Sequence, residues 1–313
     1  MPEYSIGVDL GGTNLRAAAI DHHGKILRKV SGTTQLSAGR DAVISDIVAS
    51  ILKLRAASSA DRLVGIGIGV PGFLIIDEGV ISVSPNLPGF ENFAIRDEIE
   101  RLLQAPVLLE NDANAAALGE KWIGAGRDVD DLLLLTLGTG IGGGIVSNGK
   151  VLHGFVGMAG ELGHMTVYPD GNPCACGNFG CLEKHASATA VTAMARMLGL
   201  GEHLSSKDVY DLAVSGNQHA LMCFEKMGVT LGIALATLIN IFNFPLCLLS
   251  GGMLPAWDLF APVMLAEAKR RSLTCRNTAT RIEKATLGNE AGLYGAAYLP
   301  YQARIIAPET TTA

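Results

Sequence analysis

Three cysteines, Cys174, Cys176 and Cys181, fall within eight residues of a chain that has only six. Their spacing is C-x-C-x4-C, and the first pair is too close in sequence for an easy disulfide. Three thiolates and one imidazole make a closed tetrahedral zinc site, which is structural because no position stays open for catalysis. Two histidines compete for the fourth place: His164, ten residues upstream in "ELGH", and His185, four residues beyond Cys181. His164 is favoured. The turn-rich "YPDGNP" can fold it back onto the cysteines, whereas "EKHASATA" is already turning into helix. The bland alternative is three unbound thiols in a loop. Cys223, Cys247 and Cys275 are scattered through apolar sequence and read as packing residues.

Glu161 and Glu183 flank these ligands. A metal would fix both carboxylates and the His164 ring, leaving the second ring nitrogen to hydrogen-bond a hydroxyl. Solvated surface charge is the ordinary fate of glutamate. The functional alternative is a dense donor and acceptor surface suited to a polyol such as a hexose. A second cluster, "LLENDANAAA", puts Glu110, Asn111 and Asp112 at the C-terminal end of an apolar strand, where open α/β sheets keep their ligand sites. Asp112 reads either as a helix N-cap or as a carboxylate that accepts a hydroxyl proton, with the Asn111 amide orienting the substrate.

Glycine-rich turns complete the set. "DLGGTN" joins two apolar runs, and its paired glycines permit positive φ and exposed N–H groups that can receive a phosphate. Asp9 at the strand end can position Mg2+ through water. "GTGIGG", residues 138–143, formally matches the dinucleotide fingerprint but continues as β-branched residues rather than a helix, which argues against a Rossmann site. No Walker A pattern occurs. Phosphates would be held by hairpin backbone and by hydroxyls such as Thr13 and Thr139. A third pair in "LLSGGM" either accepts a flat ring against its backbone or merely turns into a helix.

The elements that must carry these residues can be read from hydropathy. "YSIGVDLGGTNLRAAAIDHHGKILRK" has the profile of a β-meander. Val43, Ile47, Ile51 and Leu54 recur at helical spacing over residues 39–57. "LVGIGIGVPG" is a buried strand, "FAIRDEIERLLQ" a helix, and "APVLLENDANAAALGEKW" a strand entering a helix at Asn111–Asn114. "DLLLLTLGTGIGGGIVSNGKVL" then repeats the opening design of strand, glycine turn, strand, turn and strand. The expectation is a duplicated α/β module around a cleft: residues 1–118, completed by a C-terminal helix at about 289–302, and residues 119–288. The tail "PETTTA" is expected to be disordered.

With 313 residues, 49% of them hydrophobic, the chain can bury about two cores. The formal net charge of -6, without a dense Lys/Arg block, argues against a nucleic-acid partner. The N-terminus shows no basic and apolar signal pattern, which points to a reducing cytoplasm where clustered cysteines hold metal. Residues 229–249 carry no charge over 21 positions, long enough to cross a bilayer. Asn240, Asn243 and Pro245 interrupt them, so they read as a buried helix from Met227 to about Phe242, then a strand from Leu246 to Leu249, and not as a membrane span.

Taken in order, "DLGGTN", "END", "LGTGIGGG", "GELGH", "CACGNFGCLE" and "LSGGM" resemble the ROK family (repressor, open reading frame, kinase), over about residues 4–302, and most of all its bacterial ATP-dependent glucokinases. The resemblance implies the actin-like ATPase (sugar kinase) fold and transfer of the ATP γ-phosphoryl group to a hexose 6-hydroxyl. It implies Asp112 as general base and a sugar site of Gly72, Asn111, Asp112, Glu161, His164 and Glu183. It implies zinc on His164, Cys174, Cys176 and Cys181. Asp9, Gly12, Thr13, Asn14 and Arg16, with Gly138, Thr139 and Gly140, would face the phosphates and Mg2+, and Gly251 and Gly252 the nucleoside. A homodimer is implied as well. Family repressors carry a DNA-binding module before the first strand, and only three residues precede Tyr4 here. Phe90 stands where these glucokinases often have Trp. The alternatives are a kinase for fructose, mannose or N-acetylmannosamine, a polyphosphate donor in place of ATP, and a sugar-binding sensor without turnover.

Overall fold

The computed structural model describes residues 2–84 and 86–306; the tail "PETTTA" lies outside them. The chain opens as the expected meander, β1 (Glu3–Leu10), β2 (Asn14–Asp21) and β3 (Ile26–Thr33). β1 and β2 pair antiparallel, as do β2 and β3. Helix α1 (Arg40–Ala57) buries Val43, Ile47, Ile51 and Leu54, the residues whose spacing predicts it. β4 (Arg62–Val70) is followed by a short hairpin, β5 (Phe73–Ile75) and β6 (Val80–Val83), and by α2 (Ile95–Leu103). β7 (Val107–Asn111) then runs directly into α3 (Asp112–Trp122). β1, β4 and β7 are parallel, in a sheet of order β3-β2-β1-β4-β7.

The design recurs with β8 (Leu132–Leu137), β9 (Ile141–Ser147) and β10 (Lys150–Val151). A loop region leads to α4 (Glu183–Ala186), α5 (Ala188–Met197), α6 (Ser206–Val214) and α7 (Gln218–Phe242). β11 (Leu246–Ser250), α8 (Trp257–Arg271), α9 (Leu273–Asn277) and β12 (Arg281–Lys284) follow, and α10 (Ala291–Ile306) closes the described chain. The second sheet runs β10-β9-β8-β11-β12, with β8, β11 and β12 parallel. Strand for strand this is the order of the first sheet, so the duplication legible in the two glycine-turn segments is present in the topology.

The chain divides into two compact units. The first comprises residues up to Asp130, Ile145–Ala159 and the chain from Leu287; the second comprises Asp131–Gly144 and Gly160–Thr286. In the first, small residues let α10 sit tightly on the sheet and on α3. A Cβ at Gly7 would come within 2.4 Å of the Leu293 carbonyl, and one at Gly295 within 1.6 Å of the Ala115 carbonyl. Phe90, at the position where Trp is common in the glucokinases it resembles, is fully buried in this unit's core and packs edge-on against Phe93.

Helix α7 begins nine residues before the expected Met227. The Asn217 side chain caps it, accepting from the His219 and Ala220 amides, and Glu225 and Lys226 lie on its exposed side. It is long and apolar enough to cross a bilayer, yet 67% of its most apolar window is buried. Met227, Leu231, Leu235 and Leu238 face the interior, and Gly228 and Gly232 bring it close to the backbone of α8. It is a core helix of the second unit.

Candidate active site

The second unit gathers the cysteine cluster. Gly171 and the turns that follow fold residues 174–181 back beneath the short helical turn Leu162–His164. One ligand atom from each of His164, Cys174, Cys176 and Cys181 lies within 4.8 Å of every other. His164 Nδ1 is 3.6 Å from Cys174 Sγ, and Cys176 Sγ is 3.7 Å from Cys181 Sγ. A tetrahedron with Zn–S of about 2.3 Å and Zn–N of about 2.0–2.1 Å has S···S edges of about 3.8 Å and S···N edges of about 3.5 Å. The four side chains fit zinc in chemistry and in size. His185 is placed elsewhere: its Nε2 accepts from the Asn172 amide at 3.2 Å and its ring packs on Tyr168. Burial pushes up the Cys174 thiol and takes that of Cys181 up to about 12, while the Asn178 backbone amide lowers Cys176. Buried thiolates need a cation beside them.

Because Nδ1 faces the sulfurs, the other ring nitrogen of His164 is turned away from them. Nε2 lies 4.0 Å from Glu161 Oε2. Burial raises the Glu161 carboxyl, His164 opposes this, and the Glu183 carboxylate adds to it. Glu183, the first residue of α4, has Oε1 3.4 Å from Cys174 Sγ and 3.6 Å from Lys184 Nζ. A Cβ on Gly140 would come within 2.7 Å of Glu183 Oε2, so this glycine admits the carboxylate.

Gly138–Thr139–Gly140 follows β8, and Gly251–Gly252 follows the adjacent parallel strand β11. The two loops touch: the Met253 amide donates to the Leu137 carbonyl at 3.2 Å. Gly251 has φ of +100°, and a Cβ there would come within 2.4 Å of that same carbonyl, while Gly252 faces open space. Thr189 Oγ1 donates to the Thr139 carbonyl at 2.7 Å.

In the first unit, the turn between β1 and β2 leaves Gly12, Thr13 and Asn14 exposed. It is closed by the Gly11 amide donating to the Asn14 carbonyl at 2.8 Å. Positive φ is not what its glycines supply. Gly11, Gly12, Gly138 and Gly140 all keep negative or extended φ, and Gly251 is the left-handed one of the glycines expected at the phosphates and nucleoside. The paired glycines instead keep side chains off the backbone. Asp9, at the end of β1, pairs with Arg16 (3.2 Å), which also donates to the Asn289 carbonyl. Burial raises the Asp9 carboxyl, and Arg16 pulls it the other way.

Asn111 ends β7 and is itself the N-cap of α3. Its Oδ1 accepts from the Ala113 and Asn114 amides at 2.9 and 3.2 Å, and its Nδ2 donates to the Gly72 carbonyl at 3.1 Å. Asp112 is therefore the first helical residue rather than the cap, and its Oδ1 accepts from the Ala113 amide at 2.9 Å. Gly72 has φ of +112°, and a Cβ there would collide with Val83 and Ser84.

Beside this turn, the sequence places Glu110 at the ligand end of its strand but gives it no chemistry, and it gives His153 no role. Glu110 is 1% exposed, and its Oε2 lies 2.7 Å from His153 Nε2. A carboxylate inside the apolar strand "VLLEN" was the available signal; its partner, 43 residues away, had none.

The sequence pattern of the ROK family matches residues 5–303, nearly the whole chain. The chain belongs to the ROK family. Among its relatives is a glucokinase of Halalkalibacterium halodurans, 39% identical over 317 residues, covering 96% of this chain and 95% of that one. Among solved structures, a ROK hexokinase of Thermus thermophilus superposes with a TM-score of 0.89 at 35% identity, over 97% of this chain and all of that one. A ROK family glucokinase of Streptomyces griseus, solved with glucose and AMPPNP, has a TM-score of 0.78 at 31% identity, over 96% of this chain and 99% of that one. The fold of this ROK protein is accordingly that of the family's sugar kinases, the actin-like ATPase fold.

Proposed function

We propose that this ROK protein is an ATP-dependent glucokinase that phosphorylates glucose on its 6-hydroxyl. The observation that carries the reading is the orientation of His164. Nδ1 belongs to a cluster of tetrahedral size, and Nε2 is left beside Glu161, in a unit that also presents Glu183. That is a hydroxyl-binding set held rigid from behind, as a polyol requires. The similarity to named glucokinases supports glucose as that polyol.

Phosphoryl transfer depends on positioning and charge neutralisation more than on covalent chemistry. Glu161, Glu183, His164 Nε2 and Asn111 hold the sugar hydroxyls, and Gly72, which Asn111 holds, flanks them. Asp112 accepts the proton of the 6-hydroxyl while the O6–P bond forms. The bond from the γ-phosphorus to the bridging oxygen breaks, and ADP leaves. Gly12, Thr13, Asn14, Gly138, Thr139 and Gly140 offer N–H and hydroxyl groups to the phosphates, and Gly251 and Gly252 leave room for the nucleoside. His164, Cys174, Cys176 and Cys181 would hold zinc, which when bound supplies rigidity. Asp9, with Arg16 beside it, would hold Mg2+ through water, and that ion supplies charge neutralisation at the phosphates.

All six cysteines are free, which suits a cytoplasmic enzyme; the working form proposed is a homodimer. The test is a matrix of donors (ATP, polyphosphate) against sugars (glucose, fructose, mannose, N-acetylmannosamine). ADP formation that needs Mg2+ and is fastest with glucose supports the reading. A faster partner sugar reassigns the substrate, and sugar binding without any phosphorylated product overturns the enzyme.

A further inference from the structure

Three groups engage the buried carboxylate of Glu110. Its Oε1 accepts from the Asn111 backbone amide at 2.9 Å and from Asn114 Nδ2 at 3.1 Å, while Oε2 meets His153 Nε2 at 2.7 Å. β7 is the edge strand of its sheet, so no further strand engages the Asn111 amide. Glu110 takes that place. The peptide it grips joins Glu110 to Asn111, one residue before Asp112.

Burying a charge is costly unless it is fully paired, and this one carries a visible further cost. Asn114 is 2% exposed, and by giving its amide to Glu110 it leaves its own Oδ1 without a hydrogen-bond partner among the described residues. A fold that needed only packing here would do better with leucine. The arrangement makes sense if the orientation of the Asn111 peptide matters.

His153 brings the second half of the argument. It opens the loop that leads to Glu161, eight residues on. The loop is fastened at its base, the Ala159 amide donating to the His153 carbonyl at 3.0 Å, and Gly157 packs within Cβ contact of the Leu74 carbonyl. One ion pair thus ties the turn bearing Asn111 and Asp112 to the start of the 152–159 loop, within the first unit.

We infer that Glu110 and His153 form a positioning pair for phosphoryl transfer, holding the Asn111–Asp112 turn and the start of the 152–159 loop in register. This rests on the kinase reading above. Neither residue touches the reacting atoms; both act through Asn111 and Asp112. The groups that act on His153 are Glu110 from β7 and Asp77 from the turn between β5 and β6. The hydrogen bond to Glu110 raises the His153 pKa, burial opposes it, and the charges of Glu110 and Asp77 add to it. The imidazolium grip is therefore complete below that raised pKa and weakens as pH rises through it.

The experiment compares His153→Ala, His153→Gln and Glu110→Gln with the wild type in steady-state glucose phosphorylation, with circular dichroism to fix the folded fraction. Misplacing a reacting group by about 1 Å costs roughly 100-fold, so His153→Ala should lower kcat by about 10- to 100-fold while the KM for ATP stays within about twofold. His153→Gln, whose amide can still donate to Glu110, should recover most of the loss and lack the alkaline limb of the wild-type pH profile. Wild-type kcat in folded His153→Ala overturns the inference, as does a loss that His153→Gln fails to rescue. Should His153→Ala not fold, Glu110→Gln decides: wild-type kcat and an unchanged alkaline limb in that variant overturn the pair. A wild-type protein that forms no glucose phosphate sinks the kinase reading and the inference with it, whereas an active wild type matched by His153→Ala sinks the inference alone.

Discussion

Asn111 joins two structures with one side chain: its Nδ2 holds the Gly72 carbonyl at 3.1 Å while its Oδ1 caps α3. The two jobs can be separated. Asn111→Ala loses both and should cost about 1–2 kcal/mol of stability through the cap alone. Asn111→Asp keeps an N-cap of equal quality but has no donor for Gly72. It should melt close to the wild type and still show a raised KM for glucose. Thermal melts beside glucose kinetics check this; parallel losses in both variants would mean the Gly72 contact is only structural.

Asp112 is the first residue of α3, not its cap, so its carboxylate can be removed without uncapping the helix. General-base catalysis is worth about 10²–10⁴-fold. Asp112→Asn should therefore drop turnover at least 100-fold, with the melting temperature and glucose affinity little changed. ADP release and calorimetric glucose binding measure the two sides. Wild-type turnover in Asp112→Asn would remove it from the base role.

Two edges of the cluster of His164 and the three cysteines, His164–Cys174 and Cys176–Cys181, have tetrahedral zinc length. Metal analysis should find about one zinc per chain. Cys176→Ala should lose it and raise the KM for glucose roughly tenfold or more through the released His164 ring. The KM for ATP should stay near the wild-type value, because the turns proposed to hold the phosphates lie outside the loop. Metal-replete protein that contains no zinc would refute the site.

How much of this could be read from the sequence depends on how local each feature is. The meander and its repeat were legible because apolar runs alternate with Gly-Gly and Asn-Gly turns, a pattern that sets strand order by short connections. The cluster of His164 and three cysteines was legible because three of its members share one eight-residue loop. The choice of His164 over His185 needed only the turn chemistry of "YPDGNP". The start of α7 was hidden because Glu225 and Lys226 lie on its exposed side, which makes its first turns look unlike the apolar run that follows. The Glu110–His153 pair was hidden for another reason. Its partners are 43 residues apart and meet only once β7 and the 152–159 loop are folded, so no spacing records them. The positive φ expected at the paired glycines of "DLGGTN" is absent: neither Gly11 nor Gly12 is left-handed, and an added Cβ would lie 3.3 Å from the Asn14 carbonyl at Gly11 and 3.5 Å from the Asn86 carbonyl at Gly12.

Gly251 and Gly252 are neighbours with opposite requirements. Gly251 has left-handed φ, and its added Cβ would lie 2.4 Å from the Leu137 carbonyl; at Gly252 nothing lies within 4 Å. Gly251→Ala should destabilise the fold by about 1–3 kcal/mol and raise the KM for ATP by moving the loop off β8. Gly252→Ala should leave stability unchanged. It should raise the KM for ATP only if the nucleoside needs the bare backbone. Melts and ATP kinetics on the two variants separate a structural glycine from a ligand-facing one, and equal stability losses would contradict the geometry.

Asp9 sets stability against function. Burial raises its carboxyl above the ordinary value of 3.8, outweighing the pull of Arg16. A carboxyl whose folded pKa is raised binds its proton more tightly in the folded state than in the unfolded one. Its ionisation at neutral pH therefore works against the fold, and the penalty fades as pH falls through the raised pKa. Asp9→Asn is neutral at every pH. It should melt above the wild type at pH 7, and the gain should shrink toward pH 4 as the wild-type carboxyl takes up its proton. The same variant loses the carboxylate proposed to hold Mg2+ through water, so its turnover should fall and demand more Mg2+. Melting curves from pH 4 to 8, paired with Mg2+ titrations of activity, test both halves. A variant that melts lower at pH 7 would show that the Arg16 pairing outweighs burial.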